Sequence, residues 1–209
     1  LIDAALVVLP IMLLLKNPRR LLFYVCINAG MTYSDNPNRF PGADPYASLK
    51  QLPTFSLHSE DFSDGEKFSS IHLGGNDVSP HLEWSALPEG TKSIAITCFD
   101  PDAPTASGFW HWAVFNIPVS QVSIAQGAAN DGSLDQLGAI SLCGDSGKRG
   151  YYGPNPPAGH GPHRYLFAVH AVDVETLDVD TGASPAVLGF NLYFHSLGRA
   201  IRWGWYENP

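Results

Sequence analysis

The chain has 209 residues, 44% of them hydrophobic and only 15% charged, which gives enough apolar surface for a substantial core and argues against overall disorder. Its formal charge is -8, with 12 basic residues against 20 acidic ones. That balance argues against a nucleic-acid partner, because a phosphate-backbone interface needs a lysine and arginine patch. A small anion pocket survives the exclusion, since local donors decide binding there.

The chain begins with two apolar runs, LIDAALVVLPIMLLL and LLFYVCINAG, separated by KNPRR. Neither reaches the roughly 20 residues of a spanning helix, and no basic segment leads the first, as in a secretory signal. Met31 opens a polar, proline-bearing lead-in. Residues 1–30 therefore read as a mis-assigned upstream translation, with a truncated apolar segment as the alternative, and no stable membrane insertion is expected. Intact mass of protein made from its natural gene tests this. Residues 31–51, with Pro37, Pro41, Gly42 and Pro45, read as an extended N-terminal arm, and residues 52–209 as one domain.

From residue 53 the texture is short strands between loops. TFSLHS and part of SPHLEWSAL are strand candidates, and KSIAITCF (92–99) is the clearest strand, apolar on both faces. In WHWAVFNI, period two puts Trp110, Trp112 and Val114 on one face and His111, Ala113 and Phe115 on the other. AISLC is a short strand. RYLFAVHAVDV (164–174) is a long one, with Tyr165, Phe167, Val169 and Ala171 opposite Leu166, Ala168, His170 and Val172. Then Ser184 suits an N-cap and Pro185 a first helical position. Val187, Phe190, Phe194, Leu197 and Ile201 recur at helical spacing and predict one apolar helix face. The fold class is mainly β, with a late helix.

Two clusters carry chemistry. DPDAP ends the clearest strand with Asp100 and Asp102, and the chain re-enters a strand near His111. Aspartate before proline is also an ordinary turn former, and a lone histidine there is often a satisfied core residue. The second cluster, YYGPNPPAGHGPHRY (151–165), is stiffened by prolines, while its glycines admit close backbone approach. His163 and Arg164 can donate to an oxyanion, and Tyr152 or Tyr165 can supply a hydroxyl and a wall. Asp100, His111 and His163 can also be written as metal ligands, but no standard metal spacing frames them. No Gly-x-Ser-x-Gly elbow is present. Three widely spaced cysteines, Cys26, Cys98 and Cys143, fit reduced, buried thiols of a cytoplasmic protein rather than a disulfide framework.

DPDAP followed by GFWHWAVFNIP, then YYGPNPPAGHGPHRYLF, resembles the phosphatidylethanolamine-binding protein (PEBP) family, also called the Raf kinase inhibitor-like family. NDVSPHLEW and SPAVLGFNLYFHSLGRA resemble its bacterial and archaeal branch. The resemblance covers roughly residues 52 to 207. It implies a β-sandwich with a few peripheral helices and a small anion pocket at one end, binding phosphate, a phosphomonoester or a phospholipid head group. Carried over by motif, the pocket takes Asp100, Asp102, His111, Gly153, Pro156, Pro157, His163 and Tyr165, while Arg164 holds the framework. TASGF is shorter than the equivalent segment of animal relatives, so Phe109 or Trp110 shapes that side. No cofactor or metal is expected. The expected function is anion or head-group binding, with modulation of a protein partner through the same pocket. The alternative is a hydrolase or other acid/base enzyme using the same Asp and His groups. A homodimer stays open. Kinase inhibition belongs to animal relatives, and nothing in this sequence identifies a kinase.

Overall fold

The computed structural model describes residues 40–209, so the readings of residues 1–30, Cys26 and the first part of the arm fall outside the described residues. In chain order the strands are β1 (Ser56–His58), β2 (Glu66–Lys67), β3 (Leu82–Ser85), β4 (Ser93–Asp100), β5 (Phe109–Pro118), β6 (Ser123–Ile124), β7 (Ile140–Ser141), β8 (His163–Val172) and β9 (Ser196–Tyr206). The helices are α1 (Ser133–Gln136) and α2 (Pro185–His195). A small sheet runs β1-β3-β6 and a large one β2-β9-β8-β4-β5-β7. Only β2 with β9 is parallel. This is the mainly β sandwich with few helices that the sequence predicts.

The large sheet is covered on both faces, which is why β4 and β8 read as continuous apolar runs. Between the sheets, Leu82 and Trp84 of β3 meet Ile94, Ile96 and Cys98 of β4 and Tyr165 and Phe167 of β8. On the outer face, Ala95, Ala113, Phe115 and Val172 pack under Leu188 and Leu192 of α2. The alternation predicted for β8 is realised: Tyr165, Phe167, Val169 and Ala171 face the inter-sheet core, and Leu166, Ala168 and Val172 face outward.

Two sequence expectations are overturned. In β5 the parity assigned to Trp110, His111 and Trp112 fails, because Cys98 pairs with Trp112 while its neighbour Phe99 pairs with Trp110. His111 is thus the extra residue of a bulge, and a bulge resets which face follows. Trp112 joins the inter-sheet core against Tyr151, whereas Trp110 packs on Phe99 at 4.4 Å.

The second correction concerns α2. Ser184 and Pro185 start it as expected, although the Ser184 side chain makes no capping bond. Its buried stripe is Pro185, Leu188 and Leu192, and the predicted face of Val187, Phe190 and Phe194 is exposed. Leu197 and Ile201 belong to β9, a ten-pair partner of β8 that the helical reading hid. The reason is an inverted pattern: β9 buries the small residues Ser196, Gly198, Ala200 and Gly204 and turns its large ones outward. Period two is present, but hydropathy does not report it.

The arm is fastened. Arg164 donates to the carbonyls of Gly42 and Ala43, Phe40 packs on Trp203 and Trp205, and Tyr46 is buried. Among the described residues no helix is long and apolar enough to cross a membrane.

Candidate functional site

β4 ends at Asp100, and the DPDAP turn sends the chain back into β5. Gly108 closes that turn at φ 67°, and a side chain there would collide with the Phe99 ring and the Asp100 carbonyl. The closure sets Asp100, His111 and β8's His163 and Tyr165 around one cavity of about 280 Å³ at the end of the sheet. Pro156 and Pro157 line its rim, with Phe109 and Tyr152 as aromatic walls.

Asp100, His111 and His163 in this cavity are each oriented by a specific bond. Asp100 accepts the Asp102 N–H on Oδ1 at 2.8 Å, and its Oδ2 lies 2.7 Å from His163 Nδ1. A carboxylate only accepts, so Nδ1 carries the proton. The other nitrogen of His163 lies 2.6 Å from His160 Nδ1, extending the chain to Asp100–His163–His160. His111 Nδ1 is held by the Tyr152 carbonyl at 2.6 Å. This bond also fixes its proton, and leaves Nε2 of the neutral ring as an acceptor. Tyr152 stacks on the same imidazole, at 5.9 Å and 15°, and Tyr165 meets it edge-on at 5.0 Å.

Burial lowers the His111 pKa from its ordinary value, against the opposing pull of the Tyr152 carbonyl and the Asp100 charge. Burial also drives the Tyr165 phenol far up, reinforced by Asp100, so it remains a donor at any physiological pH. That hydroxyl is fully buried and has no hydrogen-bond partner.

The structure separates the eight expected site residues. Asp100, His111, Pro156, Pro157, His163 and Tyr165 converge on the cavity. Asp102 does not line it. Its two oxygens take the Arg164 guanidinium at 2.7 and 2.9 Å and the Arg164 N–H at 3.0 Å, so it and Arg164 tie the pocket turn to β8 and the arm. Gly153 does not line it either. It donates to Asp77 Oδ1 and lies so close to the Leu73 backbone that no side chain fits. Trp110 leaves the cavity and Phe109 shapes that side. Sequence reasoning passed over His160, whose signal was its place three residues before His163 in the same motif. Among the described residues no cluster of three or more His, Cys, Asp or Glu could hold a metal ion. Cys143, expected as a buried thiol, is exposed, and Cys98 is buried.

The family model for phosphatidylethanolamine-binding proteins matches residues 58–207. The chain belongs to the phosphatidylethanolamine-binding protein family. Within it, the chain is similar to "UPF0098 protein YbhB" of Escherichia coli strain K12, 47% identical over 150 residues, which is 69% of this chain and 94% of that protein. It is also similar to "UPF0098 protein YbcL" of the same strain, 40% identical over 158 residues, 72% of this chain and 86% of the relative. The crystal structure of E. coli YbcL, described as a new member of the mammalian PEBP family, superposes with a TM-score of 0.71 at 38% identity, covering 74% of this chain and 99% of that one. The PEBP match spans both motif clusters and hence the whole cavity.

Proposed function

We propose that this PEBP-family chain binds a small anion, a phosphate or phosphorylated head group, in the Asp100–His111–His163–Tyr165 cavity. The observation that carries the reading is Tyr165, a residue of the cavity lining whose buried hydroxyl has no hydrogen-bond partner. A buried donor left unmade costs about 1–3 kcal/mol, and an anion oxygen would recover it. Neutral His111 offers an acceptor on Nε2, so an incoming anion must bring a proton or capture one. Binding is therefore proton-linked. Because burial lowers the His111 pKa, affinity should climb mainly below the ordinary histidine value of about 6.5 rather than across neutrality. Asp100 opposes an anion, but both its oxygens are engaged by donors.

Titration calorimetry with sulfate, whose charge is constant over the range, and with phosphoethanolamine tests this from about pH 5 to 8. Rising sulfate affinity toward the acid end is expected. Flat affinity, or no binding at any pH, removes the reading. Acid/base turnover is a second reading, favoured by the Asp100–His163–His160 chain. No serine or cysteine lines the cavity among the described residues. Phosphate release from phosphomonoesters, absent in His163→Ala, would select it.

A further inference from the structure

The outer face of the large sheet carries a second cavity, of about 510 Å³, between the arm and α2. Strand alternation places Thr97, His170 and Arg199 on its floor, on the side of the sheet away from Tyr165. The bulge at His111 sends Trp110 to the same floor. Leu49 of the arm, Leu52 just after it and Phe190 of α2 are among its apolar walls.

At the floor of this apolar space, polar groups lack partners. The Tyr46 hydroxyl and Thr97 Oγ1 are buried without a hydrogen bond, their residues being 7% and 2% exposed. Burial pushes the Tyr46 phenol up to about 12, with the Thr97 hydroxyl the foremost opposing influence. The two buried hydroxyls therefore face one another rather than the cavity. The Arg199 guanidinium lies over the Tyr46 ring at 4.7 Å. Asp44 attracts it only at longer range, and no acceptor bonds it among the described residues. His170 is bonded to Ser196 Oγ and is held neutral by burial. The site therefore sets the Arg199 guanidinium, with exposed Lys50 at the wall, beneath a hydrocarbon slot.

We propose that this cavity binds a single-chain amphiphile with an anionic oxygen head, namely a medium-chain monocarboxylate. The carboxylate takes the Arg199 guanidinium, and the tail lies between Trp110, Leu52 and the Phe190 face of α2. A planar carboxylate matches a guanidinium fork, and the cavity volume lies in the range of one small ligand. An apolar protein segment would cover the walls but leave the Arg199 guanidinium without an acceptor. The site is independent of the anion cavity, which opens on the other face.

The test is calorimetry on the full chain with decanoate below its micellar concentration, with 1-decanol in parallel. Saturable one-site decanoate binding is expected, weakened about tenfold or more by Arg199→Gln, with decanol unaffected by that change. Gly189→Leu supplies a second variant. Gly189 lines the cavity, and a Cβ there meets nothing within 4 Å, so leucine fills the slot and should abolish decanoate binding. Thermal unfolding of both variants reports that they fold. Absence of saturable decanoate binding overturns the proposal, as does equal loss of decanol and decanoate in Arg199→Gln, or full binding in Gly189→Leu. Hydrogen exchange showing the slot already covered by residues 1–39 or by a second copy overturns it as well.

Discussion

The large sheet separates two cavities built on opposite principles. On the inner side, about 280 Å³ is ringed by imidazoles, a carboxylate and a phenol. Asp100, His111 and His163 are each held by a named bond to the framework. On the outer side, about 510 Å³ is mostly apolar, with Arg199 and Lys50 as its cations. The inner site is made rigid by β4, β5 and β8, central strands with both neighbours paired. The outer one depends on the arm and α2, which lie on the face of the sheet. One residue of bulge allocates the side chains: His111 goes to one cavity and Trp110 to the other. Polar order and apolar room are thus local consequences of register, on a sheet whose two faces are equally buried.

The comparison is broken most severely at the framework. Asp102→Ala leaves the Arg164 guanidinium buried without its carboxylate, and should cost about 3–5 kcal/mol in urea unfolding. Trp112→Ala, in the fully buried core, belongs in the same range of about 3–5 kcal/mol. Asp100→Asn should cost less than either and, by removing the charge that raises the His111 pKa, should move the pH linkage of sulfate binding to lower pH. If Asp102→Ala proved neutral, the inner site would owe its geometry to something other than the Arg164 tie.

Acid distinguishes the faces next. An unfolded histidine protonates near 6.5, but buried His170 does so only at about 3, and burial lowers His111 too. The unfolded chain therefore binds more protons across this window. The contribution of each histidine is complete above about pH 6.5 and is lost as pH falls through it. For His170 the loss runs at about 1.4 kcal/mol per pH unit down to about pH 3. Urea unfolding of the native protein and of His170→Leu from pH 7 to 4.5 should show a shallower slope for the variant. Equal slopes would mean that the outer floor is wet.

The sandwich and the inner pocket were largely legible because their residues announce themselves twice. Proline and glycine mark the turns, and β4 and β8 carry enough apolar length to be central strands in any context. What stayed hidden is physical rather than accidental. A bulge is a property of the pair Cys98–Phe99 with Trp110–Trp112, and period-two parity within β5 alone has no access to it. Asp100 and Asp102 are chemically identical and two residues apart, and only the partner strand makes one a pocket wall and the other the anchor of Arg164. β9 was lost because its inward residues are the small ones. A subtler comparison follows inside the inner site, where Tyr165→Phe removes one hydroxyl that no protein group uses. Sulfate affinity should fall about tenfold while stability is unchanged or slightly raised. A loss of stability without loss of affinity would place that hydroxyl in the core.

The smallest expected effect sits on α2, where sequence and structure disagree about which face is buried. Helical spacing favoured Val187, Phe190 and Phe194, yet the sheet takes Leu188 and Leu192, and Phe190 is 68% exposed. Phe190 and Phe194 meet each other edge-on at 5.2 Å rather than meeting the core. Replacing Leu188 by Ala should therefore cost about 2–5 kcal/mol, whereas Phe190→Ser should change stability by no more than about 0.5 kcal/mol. The exposed aromatic stripe lines the outer cavity rather than the core. Parallel urea curves for Phe190→Ser and the native protein, combined with weaker decanoate binding by the variant, would place Phe190 at the mouth of a ligand site. A destabilisation comparable to that of Leu188→Ala would instead return it to the core, and the outer cavity would lose its apolar wall.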